Sequence, residues 1–233
     1  MIRCCNCDKQ YDFQPFKGAL SLPVIICPHC GCRHTVDFKA TEDTSPLAPI
    51  ELQLTYYKPI LMRTRILDAD RTALAADEAD YTVNKATKPN LIYVAQLDEE
   101  KGPRASTYTL MWKNTTDAGS FTNLAATGEI NWAATTSLTN GTAVTARSCT
   151  GAGASGSTWQ NGEEVEGSAT CDSIDLADEY YTEVHFAINI ASALEGHTYD
   201  FQVWENTGGT ALTAAAAASL IIASEAVAYI THQ

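Results

Sequence analysis

Cys4-x2-Cys7 and Cys27-x2-Cys30 stand 19 residues apart. At that spacing two short CxxC turns can each offer two sulfurs to one tetrahedral ion, so the pattern points to four thiolates around a structural Zn2+, with the intervening residues as the hairpin that joins them. Gly31, directly after the last ligand, frees the backbone there to aim amides at the thiolates. Six of the eight cysteines fall within the first 32 residues, which leaves Cys5 and Cys32 outside the ligand set. These two are expected as buried free thiols, or as bridges to each other or to a neighbouring subunit. His29 and His34 read as exposed residues beside the turns. The rival pattern, two disulfides in a small secreted module, would come with an apolar leader, and Met1-Ile2-Arg3-Cys4 does not open one.

Other residues could do chemistry further along. Cys149 and Cys171 are 22 apart, and a bridge between them would contribute about 3 kcal/mol by restricting the unfolded chain. The bridge is slightly favoured over two buried thiols. Glu163, Glu164 and Glu166 with Asp172, Asp175 and Asp178 offer carboxylate oxygens of the kind Ca2+ takes, but without EF-hand spacing, so a solvated acidic face is preferred. The stretch 151–167, GAGASGSTWQNGEEVEG, lacks the Gly-Lys-Ser/Thr ending of a phosphate cradle and reads as a mobile loop. Trp159 within it is the candidate for ligand contact, whereas Trp112, Trp132 and Trp204 sit in strand patterns and read as core. His185 reads as a strand residue. The sequence holds neither a G-x-S-x-G elbow nor an HExxH helix, and no catalytic residue is expected.

Charge separates the two ends of the chain. Residues 1–45 carry five Lys/Arg against five Asp/Glu, so the net charge of −13 lies beyond them. After Arg147 the remaining 86 residues hold twelve Asp/Glu and no Lys or Arg. Such a surface repels phosphate backbones, so no nucleic-acid partner is expected. No run of about 18 uncharged apolar residues is present to span a bilayer as a helix, and no membrane partner is expected.

The elements that must position these groups are strands. Period-two alternation recurs in LQLTYY, ILMRTRIL, NLIYVAQL, STYTLMWK, GEINWAA, TAVTAR, TEVHFAINI and TYDFQVWEN, in a chain punctuated by Gly, Asn and Asp. Asp68–Asp80 has alanines that favour helix but reads equally as a loop with one helical turn. The run 210–222, TALTAAAAASLII, is expected as strand, because Gly208-Gly209 before it supplies a hairpin turn back onto TYDFQVWEN. The expected architecture is mainly β: a zinc ribbon over 1–40, a linker over 41–55, an antiparallel β-sandwich of immunoglobulin-like or jelly-roll type over 56–224, and a tail over 225–233.

Two resemblances sharpen this. Ile2 to Lys39 resembles the zinc ribbons, which implies Cys4, Cys7, Cys27 and Cys30 as the ligands; Asp8 departs from the glycine frequent in the first knuckle. Residues 60–222 are similar to a β-sandwich module of tailed-bacteriophage virion proteins, carried by STYTLMWK, GSF, LTNG and GHTYDFQVWENTGG. That likeness implies a structural role, first as a capsid decoration or cement protein that folds in the host cytoplasm and ends in the virion. Its expected partners are the major capsid protein or tail and other copies of itself. A tail or fibre adhesion module for host-surface glycans is the alternative, and a zinc-ribbon nucleic-acid binder fits the acidic balance least.

Overall fold

In a computed structural model of the chain the described residues are 2–3, 10–11, 24–26, 33–38, 52–55, 59–99, 104–151, 158–212 and 217–224. They fall into two units, Met1–Lys58 and Pro59–Gln233.

In the first unit β1 (Ile2–Arg3) pairs antiparallel with β2 (Gln10–Tyr11), and β3 (Val24–Ile26), β4 (Arg33–Phe38) and β5 (Leu52–Thr55) form an antiparallel sheet in that order. The innermost pairs are Arg3↔Gln10 and Ile26↔Arg33. Cys4, Cys5, Cys7, Cys27, Cys30 and Cys32 therefore all belong to the two connections 4–9 and 27–32, which lie outside the described residues. Leu52–Thr55, in the stretch expected as linker, belongs by pairing to β4 of this unit.

The second unit is built from β6 (Pro59–Asp68), β7 (Tyr81–Val83), β8 (Asn90–Glu99), β9 (Arg104–Ser106), β10 (Tyr108–Asn114), β11 (Thr122–Asn123), β12 (Ala143–Val144), β13 (Thr158–Trp159), β14 (Gly162–Val165), β15 (Ile174–Leu176), β16 (Tyr180–Asn189), β17 (Thr198–Glu205), β18 (Thr210–Leu212) and β19 (Leu220–Ile222). One six-stranded sheet runs β11-β10-β17-β19-β7, with β18 also on β17; the other runs β12-β14-β16-β8-β6, with β13 also on β16. β9 and β15 pair separately. The chain is mainly β, with no helix among the described residues.

Alternation decides which side chains meet. Along β17 every second residue, Tyr199, Phe201, Val203 and Glu205, is buried and the others face outward. Strand β8 is different, for Leu91 to Asp98 are all buried. Leu91, Tyr93, Ala95 and Leu97 join the larger apolar cluster with residues of both sheets, while Ile92 and Val94 join a smaller one with Leu67, Leu138, Cys149 and Ala187. Tyr93 on β8 stacks on Phe201 of β17 at 4.6 Å between ring centroids, so the larger cluster lies between the two sheets. This layering is consistent with a β-sandwich. The sheet of β8 and β16 is thus buried on both faces, one by the other sheet and one by the segment that carries Leu138 and Cys149.

Several expectations change. The pairing is mixed rather than antiparallel: β13 and β14 both run parallel to β16, and β19 runs parallel to β7. The stretch 151–167 does not read through as a loop, since 158–159 and 162–165 are strands and Gly162 to Val165 are buried. Its two adjacent glutamates suggest a wet surface, yet both are satisfied inside the fold, as described below. Residues 128–134 form only isolated bridges at Asn131, to Ala125 and Asn189. Asp68–Asp80 is a set of turns whose amides return to β6, Leu74 N–H to Ile66 O and Glu78 N–H to Thr64 O. Thr210–Leu212 and Leu220–Ile222 are strands on β17, as expected, with 213–216 outside the described residues.

Candidate functional site

On the outer face of the second sheet, the register lines up Arg65, Val94, His185 and Glu164 in one row, and Arg63, Gln96 and Glu183 in the next. A sheet places directly opposed residues on the same face, so this row structure brings five ionisable side chains together from three strands. Glu183 is fully buried, and its carboxylate accepts Ser148 N–H at 2.7 Å, Cys149 N–H at 2.9 Å and, at 3.0 Å, lies against His185 Nε2. Asp77, from the turns after β6, accepts Thr150 N–H and Oγ1–H at 2.8 Å each and Gly151 N–H at 3.2 Å. The amides of four consecutive residues, 148 to 151, thus end on two carboxylates.

The surrounding cations are arginines. Arg65 donates to Ser148 O and Ala75 O and lies 3.5 Å from Asp77; Arg63 lies 3.7 Å from Glu78. Arg147 donates to the Tyr181 hydroxyl, and Gln96 to Gly151 O. For Asp77, burial alone would raise the carboxyl's pKa, but the bonds from Thr150 and Gly151 with Arg65 outweigh it and hold the group below its ordinary value. His185 Nδ1 is buried with no partner.

A thiol, an imidazole and a carboxylate in one place are the ingredients of a cysteine nucleophile. Here the order is wrong for that chemistry. Cys149 meets Glu183 through its backbone N–H, and burial together with the charges of Glu183 and Asp77 pushes the thiol's pKa well up, away from the reactive thiolate. What the cluster does is hold backbone.

The same use of acids recurs along the unit. Glu164, buried on β14, accepts Thr139 N–H at 2.8 Å and pairs with Arg71 at 2.7 Å; Glu166 accepts Thr136 N–H and Oγ1–H. Glu205, fully buried, accepts Ser106 Oγ–H and the amides of Thr207 and Gly208 in the β17–β18 turn. Glu163 faces the opposite way from Glu164 and accepts Asp172 N–H at 3.0 Å. Burial first, then the nearby Asp172 charge, raises its pKa against that bond.

The acids expected as a calcium set are therefore dispersed: Glu163, Glu164 and Glu166 diverge onto separate loops, while Asp172, Asp175 and Asp178 are exposed. Among the described residues, no group of three His, Cys, Asp or Glu side chains is arranged to hold a metal ion. The bridge favoured between Cys149 and Cys171 is not formed. Both are free and buried, and they belong to different apolar clusters on opposite faces of the sheet. Burial pushes the Cys171 thiol up to about 12. Trp159 is half-buried on β13, not in a loop, and meets Tyr181 edge-on at 5.4 Å. Trp112 and Trp132 pack on the core, but Trp204 lies on the outward face of β17, opposite to its expected place.

A second polar cluster surrounds Asn114, whose amide nitrogen lies 3.1 Å from Asp117, 3.1 Å from Glu129 and 2.9 Å from His197 Nδ1, with the Tyr199 hydroxyl donating to Glu129 at 2.6 Å. It ties the 115–119 turn to Glu129 and β17. Sequence reading missed Glu183 and Asp77. Glu183-x-His185 on a strand was a usable signal, since residues two apart share a face; Asp77 meets Thr150 across 73 residues and left none. No family model, curated protein or solved structure matches the chain.

Proposed function

We propose that the chain is a structural protein of a tailed-bacteriophage virion, a capsid decoration or cement protein that acts by surface attachment and catalyses nothing. The observation that carries this reading is the use of acids in the second unit: Asp77, Glu163, Glu164, Glu166, Glu183 and Glu205 all spend their oxygens on the amides of connecting segments. Loops fixed before a partner arrives lose little conformational entropy on docking, which is what an attachment surface repeated over a particle requires. In this reading the sandwich is of immunoglobulin-like or jelly-roll type, with parallel pairings added at β13, β14 and β7.

With it goes a structural zinc site at Cys4, Cys7, Cys27 and Cys30. The paired strands β1–β2 and β3–β4 each stop at the residue before a CxxC, which suits a donor set of two knuckles. Zinc would staple a unit too small to fold on its own core. Cys5 and Cys32 remain the spare thiols beside it. The partners in this reading are the major capsid protein or tail and further copies of the chain, met in the virion after folding in the host cytoplasm.

Quantitative mass spectrometry of purified virions tests it. Copies on the order of hundreds per particle are the expected result. A few or tens per particle, with binding of host glycans by the free protein, would replace decoration by tail or fibre adhesion, and absence from virions would overturn both.

A further inference from the structure

Segment 134–151 crosses the outer face of the second sheet and is anchored at two ends of different character. At Thr136–Val144 it is held by Glu166 and Glu164, by Arg71 on the Ser137 carbonyl, and by backbone pairing of β12 with β14. At Ser148–Gly151 it is not part of any strand. All four of its amides are taken by Glu183 and Asp77, and its other described bonds run from Arg65 to Ser148 O and from Gln96 and Arg147 to Gly151 O. Beneath this end the Cys149 side chain packs with Leu67, Ile92, Val94, Leu138 and Ala187.

We propose that Ser148–Gly151 is an acid-released latch: protonation of Asp77 frees its hold on Thr150 and Gly151, and this end of the segment swings on β12 and uncovers the Cys149 thiol while the core between the sheets stays folded. A carboxylate accepts two or more amide bonds with its full charge, and the neutral acid presents a hydroxyl proton to donors that need an acceptor. Protonation does more than weaken bonds. The groups facing the latch are Arg63 and Arg65 from β6, Arg147 from the segment itself, and His185 from β16, balanced by Glu78 beside Arg63 and by Glu164 beside His185 in the register. Gln96 on β8 and the Cys149 thiol add no charge of their own. Neutralising Asp77 therefore leaves Arg65 without the carboxylate 3.5 Å from it, under a segment that has lost an acceptor for three of its donors.

The low-lying Asp77 pKa fixes the direction. A carboxyl held below its unfolded value, near 3.9, contributes fully above that pH and loses its contribution as pH falls through the folded value. The latch is closed at neutral pH and opens in acid.

The two buried thiols report on the two faces separately. The full-length protein would be treated with 4,4′-dithiodipyridine from pH 7 to pH 3, with each cysteine assigned by peptide mass spectrometry and each rate normalised to the unfolded chain at the same pH. The expected result is a rise of about tenfold or more at Cys149 in acid with Cys171 still protected. Equal rises at both would mean global unfolding, and no rise at Cys149 would mean the carboxylates do not hold the latch; either overturns the proposal. Glu183→Gln, which mimics the protonated acid in shape, should raise Cys149 labelling at pH 7. Asp77→Asn, at a more exposed anchor, should do the same by a smaller factor, and unchanged labelling in a folded variant would also overturn it.

Discussion

The two faces of the sheet that holds β8 and β16 are both dry but are closed by different physics. Between the sheets, Leu91, Tyr93, Val184, Phe186, Phe201 and Val203 close the inner face chiefly by apolar contact, with Cys171 among them. On the outer face Leu67, Ile92, Val94, Leu138, Cys149 and Ala187 form a smaller apolar cluster, and the cover is fastened by Glu164, Glu166, Glu183 and Asp77. Apolar burial is indifferent to pH and spread over many atoms, whereas a carboxylate clamp is local, directional and titratable. The inner face therefore sets global stability, and the outer face sets what can open below it.

Five substitutions would break or sharpen that division. Phe186→Ala, at a fully buried inner position, should cost about 3–5 kcal/mol in denaturant titration and expose both thiols together. Gly162→Ala should cost about 3 kcal/mol. A methyl there would stand 1.8 Å from the Glu183 carbonyl oxygen and 2.6 Å from Thr182 Oγ1. Gly162 lies where the pairing to β16 shifts by one residue between Trp159↔Tyr181 and Glu163↔Val184, so the strain would disturb both faces at once. Glu164→Gln should lose about 1 kcal/mol, read as faster amide exchange at Thr139 with little change in the global midpoint. A midpoint shift as large as that of Phe186→Ala would erase the distinction between faces.

The smallest effect has the opposite sign. Glu163 lies in register with Val184 of the inner face, and its raised pKa means the ionised form is disfavoured in the fold. Its contribution is full below the unfolded value near 4.3 and is lost as pH rises through the folded value. Glu163→Gln should therefore be more stable than the parent at pH 7, by less than about 1 kcal/mol once screening is counted, and should match it below about pH 4. Asp77→Asn should show the mirror image, a loss at pH 7 that vanishes in acid. For the first unit, one zinc per chain by metal analysis, lost in Cys27→Ser, is the outcome that supports the thiolate site.

Much of this was legible in the residues. TYDFQVWEN became β17 because period two survives where one face is buried, and ILMRTRIL, NLIYVAQL and TEVHFAINI became β6, β8 and β16 as short runs rich in apolar and β-branched residues. Gly208-Gly209 marked the β17–β18 hairpin, since local turn chemistry needs no distant partner. Misreadings gathered where the partner lies far away in sequence. Gly162-Glu163-Glu164-Val165 looked like a wet loop because its glutamates are satisfied by Asp172, Thr139 and Arg71 from three other segments. Cys149 and Cys171 looked like a pair because spacing says nothing about which face of a sheet each residue reaches.

The sequence by itself determined that the second unit is built of strands, where its main hairpin turns, and that charge gathers beyond residue 45. Alternation and turn propensity are properties of neighbouring residues, and net charge is a count. Only the tertiary structure decided that β13 and β14 run parallel to β16, that the two thiols lie on opposite faces, and that acids act as anchors rather than surface. Each depends on which amide or strand edge arrives from elsewhere in the fold, and a buried carboxylate is stable only once that donor is in place.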